Sequence, residues 1–163
     1  MTQAPSTYPQ LRLPAYGAQV RPCTDAAGGP AQQIYDPLRR KWVALTPEEW
    51  VRQHFVNYLV THLGYSPYRI ANEVALRVGT RRRRADTVVY DDHSQPLMVV
   101  EYKAASVAIT QRVIDQIARY NTVYRAPYLV VTNGMRTVCM HVAYADTDGV
   151  APTVTFLDSM PRL

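Results

Sequence analysis

Two carboxylates and an amine fall close together in the middle of this chain: Asp86, then Glu101 and Lys103. The segments Arg84 to Tyr90 and Leu97 to Ala104 read as strands joined by the polar turn Asp91 to Pro96. A symmetric hairpin centred between His93 and Ser94 sets Asp86 opposite Glu101. Facing Cβ atoms in such a pair lie about 5 Å apart, and like charges there destabilise a sheet unless something compensates. A divalent cation would compensate. Mg²⁺ is held by one or two carboxylates, with waters and phosphate oxygens completing its shell. Lys103 lies two residues beyond Glu101, on the same strand face, where an ammonium can meet a metal-bound water or a phosphate. Without a metal the same residues make a surface cluster, Asp86 neutralised by Arg84 and Glu101 by Lys103. Position favours a site. Glu101 ends the all-apolar run Leu97-Met98-Val99-Val100, and Asp86 precedes the apolar Thr87-Val88-Val89-Tyr90, so both carboxylates are expected to be partly shielded from water.

The elements that must hold these residues can be read on either side. Thr46-Pro47-Glu48-Glu49 is a helix start, with Thr as N-cap, Pro in the first turn and acids at the positive end of the dipole. The helix is expected to run to about Leu63, with an apolar stripe of Val51, Phe55, Tyr58, Leu59 and His62 and with Gly64 closing it. Ile70 to Val78 reads as a strand broken at Gly79-Thr80, and with the two strands above it makes an antiparallel meander. Thr110 to Tyr124 returns to helical spacing through Val113, Ile117 and Tyr120. Tyr128 to Thr132, Thr137 to Ala143 and Thr153 to Leu157 follow as strands, the last at an edge. That order predicts an α/β sandwich with a central mixed β-sheet flanked by helices. Seven of the twelve prolines precede residue 50, and Thr24 to Gln33 reads as a loop, so residues 1–33 are expected to be an N-terminal arm. Ile34 to Asp36 and Lys41 to Leu45 suggest two short strands leading into a main body at 34–144, with a tail at 145–163.

Composition narrows the partners. The 163 residues carry 18 Lys+Arg against 13 Asp+Glu, and all the cations but Lys41 and Lys103 are arginine, a residue suited to bidentate phosphate contacts. No apolar stretch approaches the roughly 20 residues of a membrane span. The N-terminal MTQAPSTYPQ lacks a signal-peptide pattern, and Cys23 and Cys139 are too far apart for a CxxC motif, so a reducing cytoplasm is the expectation. Arg81-Arg82-Arg83-Arg84 could grip DNA phosphates, although strand alternation would turn only about half of them one way. The other reading is a solvated edge that discourages aggregation. Glu73 is expected to pair with one of these arginines. His54, His62, His93 and His141 show no metal-ligand spacing.

Asp86, fourteen residues, then Glu101-Tyr102-Lys103 resembles the PD-(D/E)xK nuclease signature, with Ala85 in place of the proline. Gln116-Ile117-Ala118-Arg119-Tyr120 resembles the QxxxY element of one large branch. With Ile34 to Arg39, Thr46 to Gln53, Asn121 and Thr132-Asn133-Gly134, the chain from about Leu11 to His141 resembles small stand-alone bacterial proteins similar to the N-terminal nuclease domain of type I restriction enzyme motor subunits. The resemblance implies a restriction-endonuclease-like fold and Mg²⁺, or Mn²⁺ in its place, held by Asp86, Glu101 and the carbonyl of Tyr102. It implies Lys103 acting on the attacking water and Gln116 and Tyr120 positioning Lys103 or the DNA. It also implies a first-helix glutamate assisting the metal. By wheel Glu48 turns toward the apolar face and Glu49 shares another face with Gln53, so the choice stays among Glu48, Glu49 and Gln53, with Glu49 favoured. Two functions are expected to compete: a Mg²⁺-dependent DNA endonuclease in restriction, defence or repair, and a non-catalytic DNA-binding or assembly module. DNA is the expected partner, and a homodimer is allowed for.

Overall fold

Strands pair early in the chain. The computed structural model describes residues 8–147 and 149–162, with all their side chains except those of Leu76, Val78 and Tyr120. β1 (Val20–Thr24), β2 (Pro30–Asp36) and β3 (Lys41–Ala44) form an antiparallel sheet in that order. This corrects the loop expected over Thr24 to Gln33. Turn chemistry makes the strand: Asp25 caps the turn by accepting the N–H groups of Ala27 at 2.9 Å and Gly29 at 2.7 Å, while Gly28 supplies φ +84°. The ladder then runs from Thr24↔Pro30 to Val20↔Ile34. Apolar pattern could not reveal β1, because four of its five residues are exposed.

Helix α1 (Pro47–Thr61) begins as its sequence predicts, the Thr46 hydroxyl accepting the Glu49 N–H at 3.0 Å. It stops slightly earlier than expected. Gly64 takes φ +84° and Tyr65 N–H bonds back to the Leu59 carbonyl at 3.0 Å, closing the end, and His62 is exposed outside the apolar stripe. Val51, Phe55 and Leu59 are fully buried.

The second sheet has six strands in chain order: β4 (Ile70–Val78), β5 (Arg81–Tyr90), β6 (Pro96–Tyr102), β7 (Tyr128–Thr132), β8 (Thr137–Ala143) and β9 (Thr153–Leu157). Every neighbouring pair is antiparallel except β6 with β7. That pair is parallel because helix α2 (Gln111–Tyr124) crosses over between them. Alternation along β6 sorts the core. Met98, Val100 and Tyr102 join Val51, Phe55 and Leu59 of α1 on one face, while Val99 joins Ile117 of α2 on the other. The chain is therefore the α/β sandwich with a mixed sheet that its pattern predicts. No helix among the described residues is long and apolar enough to cross a membrane.

Candidate active site

The sheet forks where the carboxylates stand. β5 and β6 are paired through Val88↔Val99 and Thr87↔Val100, and the ladder goes no further. Beyond that point β5 continues with β4 alone, out to Val78↔Arg81, while β6 continues with β7 through Glu101↔Val131 and Tyr102↔Thr132. Asp86 and Glu101 are the next residues of the register on the two diverging strands, the register expected of them, although the hairpin is not symmetric: a bulge between Val89 and Tyr90 shifts the pairing from Tyr90↔Pro96 to Val89↔Met98. Asp86 Oδ2 accepts the Tyr102 N–H at 2.9 Å, a bond that replaces the missing ladder. Backbone geometry is irregular on the other side of β5 too. Glu73 has φ +55° between the pairs Asn72↔Thr87 and Val74↔Ala85. Ala85 and Val88, three apart, pack in the same cluster, so strict alternation is interrupted beside Asp86.

Burial sets the electrostatics at the fork. Glu101 is only 8 % exposed, and its carboxyl is pushed up to about 7, by loss of water first and by the charge of Asp86 second. Lys103 Nζ, 3.1 Å from Glu101 Oε1, pulls in the opposite direction. Tyr102 turns to the other face of β6, where its hydroxyl donates to Thr87 Oγ1 at 3.0 Å and its ring packs on Phe55 at 6.0 Å. The buried chain continues from Thr87 to Asn72 at 2.7 Å and from Asn72 to Asp36 at 3.3 Å.

Two arginines bind this fork to the first helix and to the small sheet. Arg39, in the β2–β3 turn, pairs with Asp36, with Glu49 Oε1 at 2.9 Å and with Glu73 Oε2 at 3.0 Å. Arg52 of α1 lies 3.1 Å from Glu49 Oε2, 3.7 Å from Glu73 Oε1 and 3.6 Å from Asp86 Oδ1. Glu49 also accepts from Gln53 Nε2 at 2.7 Å, which puts the two on one helix face as the wheel requires. Both Glu49 oxygens are thereby engaged. Glu48 is exposed, contrary to the wheel reading, because the first turn of α1 faces solvent there. Asp36 is held below the ordinary carboxylate range: burial pushes it up, and hydrogen bonds from the Arg39 backbone and side chain outweigh that. Neither Arg39 nor Arg52 stands out in the sequence. Their signal was the spacing of Glu49 and Arg52, one helical turn apart.

The remaining candidates lie on the extension of β5 and on α2. Arg81, Arg82, Arg83 and Arg84 are all exposed, since that part of β5 pairs only with β4 and lies beyond the packed layers, and, as alternation requires, only two of them, Arg81 and Arg83, turn into one groove. Arg84 lies 3.9 Å from Glu73, the pairing expected for that glutamate. Arg81 and Arg83 line an open groove of about 630 Å³ with Gln111, Arg112, Asp115, Gln116 and Arg119 of α2. Gln116 thus faces the arginine ribbon, and Arg112 and Arg119 were not singled out from the sequence. Tyr120 lies on α2, one turn from Gln116, and its side chain is outside the described residues.

Among the described residues no three His, Cys, Asp or Glu side chains gather as a metal cage. What the fork offers is a shielded carboxylate pair whose second charge is held off by the first, the arrangement that Mg²⁺ with its retained waters relieves. The Tyr102 carbonyl belongs to the residue that Asp86 already ties to the fork.

None of the curated proteins compared with the chain matches it. A family model does: the one describing the N terminus of the type I restriction enzyme R protein matches residues 47–161. The matched span runs from the first residue of α1 past β9 and takes in Asp86, Glu101, Lys103 and Gln116. The forked sheet, the helix across each face and this match together make the chain a member of the family of type I restriction enzyme R protein N-terminal domains.

Proposed function

We propose that the chain is a Mg²⁺-dependent DNA endonuclease, with Mn²⁺ able to substitute, acting in restriction, defence or repair in the cytoplasm. The observation that carries the reading is the carboxylate pair Asp86 and Glu101 at the strand fork with the Lys103 ammonium 3.1 Å from Glu101. Asp86, Glu101 and the Tyr102 carbonyl would hold the ion, which when bound polarises the phosphate and acidifies a water. Lys103, 23 % exposed at its side chain, orients the attacking water and stabilises charge developing on the phosphate. Gln116 and Tyr120 position the DNA backbone along α2, and Arg81, Arg82, Arg83 and Arg84 hold its phosphates. Glu49 supports the site from α1. Cleavage of duplex, single-stranded and branched DNA with Mg²⁺ or Mn²⁺ tests this, with gel filtration to show whether a homodimer forms.

A second reading has its own support. The groove of Arg81, Arg83, Arg112 and Arg119 can bind phosphates without the carboxylate pair, as a non-catalytic DNA-binding or assembly module requires. Salt-dependent binding to DNA forms that the protein leaves uncut would select it.

A further inference from the structure

Arg52 occupies an unusual place for a guanidinium. Only 6 % of the residue is exposed, and carboxylates from three elements converge on it: Glu49 of α1, Glu73 of β4 and Asp86 of β5. Its Cζ lies 5.7 Å from the centre of the Tyr102 ring on β6. Yet Nε and Nη1 are buried without a hydrogen-bond acceptor, so the group is placed by charge and not by good hydrogen-bond geometry. A buried cation with unpartnered donors is costly unless its neighbours need it. Here they do: it holds together acids that would repel one another, the task a metal ion performs in other carboxylate clusters.

Counting charges bounds the rest. Asp36, Glu49, Glu73, Asp86 and Glu101 are five carboxylates, against the three inner cations Arg39, Arg52 and Lys103. Two negative charges are left, matching one divalent ion. Arg84, at 3.9 Å from Glu73 with its side chain 65 % exposed, is screened by water and changes little.

We propose that Arg52 is a permanent cation of this site: it takes the ground beside Asp86 Oδ1 that a second metal ion would need, and Glu49 seats Arg52 instead of ligating metal. The site then binds a single divalent ion between Asp86 and Glu101. This rests on the reading that Asp86 and Glu101 hold a metal. Arg52 is accordingly a positioning residue, acting through Asp86 and the metal stoichiometry.

Titration of the full chain with Mn²⁺, counting free ion by electron paramagnetic resonance, tests it. The wild type should take up one equivalent. Arg52→Gln removes the cation and keeps Glu49; by the same count three negative charges are then left, so the variant should admit a second equivalent and bind the first about tenfold more tightly or better, since a nearby positive charge is gone. Arg52→Lys keeps the charge and should stay at one equivalent. Two equivalents in the wild type, or one of unchanged affinity in Arg52→Gln, would overturn the role of Arg52 while leaving the metal site standing. No uptake by the wild type would overturn the metal reading itself, and this inference with it. Melting curves establish that each variant is folded before it is titrated.

Discussion

The Asp86 carboxylate reaches across the fork between β5 and β6 to accept the Tyr102 N–H at 2.9 Å. One side chain therefore both faces Glu101 and closes the sheet where its ladder ends. Asp86→Ala should destabilise the metal-free protein by about 1–2 kcal/mol, because a shielded N–H loses its acceptor. Asp86→Asn keeps an acceptor oxygen and removes repulsion with Glu101, so its metal-free melting temperature should lie closer to wild type or above it. Both variants should lose the Mg²⁺-induced rise in melting temperature, and a wild-type rise in either would take Asp86 out of the site.

Glu101 gives the pH dependence. Its carboxyl is raised from an ordinary 4.5 to about 7 in the folded chain, so at intermediate pH the native state binds more protons than the unfolded one. The stability this contributes is fully present below about 4.5 and is lost as pH rises through 7. On the proposed reading, metal binding displaces the same proton. The stabilisation by Mg²⁺ should accordingly be small at pH 6 and larger at pH 8, read from melts at both values with and without the ion. An equal increment at the two values would show that Glu101 does not ligate it.

Lys103→Met separates chemistry from binding. Methionine keeps the apolar length of the side chain and removes the ammonium 3.1 Å from Glu101. DNA cleavage should fall a hundredfold or more, about 2.7 kcal/mol of lost transition-state stabilisation. Glu101 also loses the cation that pulls its carboxyl down, so metal uptake should need a higher pH than in the wild type. Wild-type cleavage rates in this variant would sink the proposed mechanism.

The arginine groove sets a salt dependence. Arg81 and Arg83 face Arg112 and Arg119 across it, while Arg84 is drawn toward Glu73. Replacing Arg81 and Arg83 with alanine should lower the slope of log affinity against log salt by up to about 2 on duplex DNA, at roughly 0.9 per phosphate contact. Arg84→Ala should lower it less. Filter binding over a salt series measures both, and equal slopes in all three proteins would mean that the ribbon does not touch DNA.

The register of Asp86 and Glu101 was legible from the short connection between their strands, although a bulge between Val89 and Tyr90 that the sequence does not announce helps to set it, and the two helices were legible from Thr46, Gly64 and the spacing of Val113 and Ile117. What stayed hidden depends on contacts distant in sequence. Arg52 reads as one more polar residue on a helix until Glu73 and Asp86 are folded against it. Glu49 is held by Arg39, ten residues before it, in a turn whose partner the sequence does not name. β1 has no buried stripe to betray it and is recognisable only through the Asp25 turn. Alternation along the arginine run is legible, since Arg81 and Arg83 reach the groove and Arg82 and Arg84 do not, whereas the helix residues facing them, Arg112 and Arg119, become apparent only in the fold.

Arg39 belongs to the small sheet, outside the residues that the family model covers, yet it neutralises Glu49 and Glu73 inside them. The boundary drawn by family likeness at residue 47 thus cuts through a working electrostatic unit. A fragment trimmed to that boundary would keep Asp86, Glu101 and Lys103 but lose Arg39 together with its partner Asp36, leaving two cations for four acids, and Arg52 would be left to serve Glu49, Glu73 and Asp86 alone. The β1–β3 sheet is in this sense part of the electrostatics of the body that the family model covers, joined to it by charge through the turn residue Arg39.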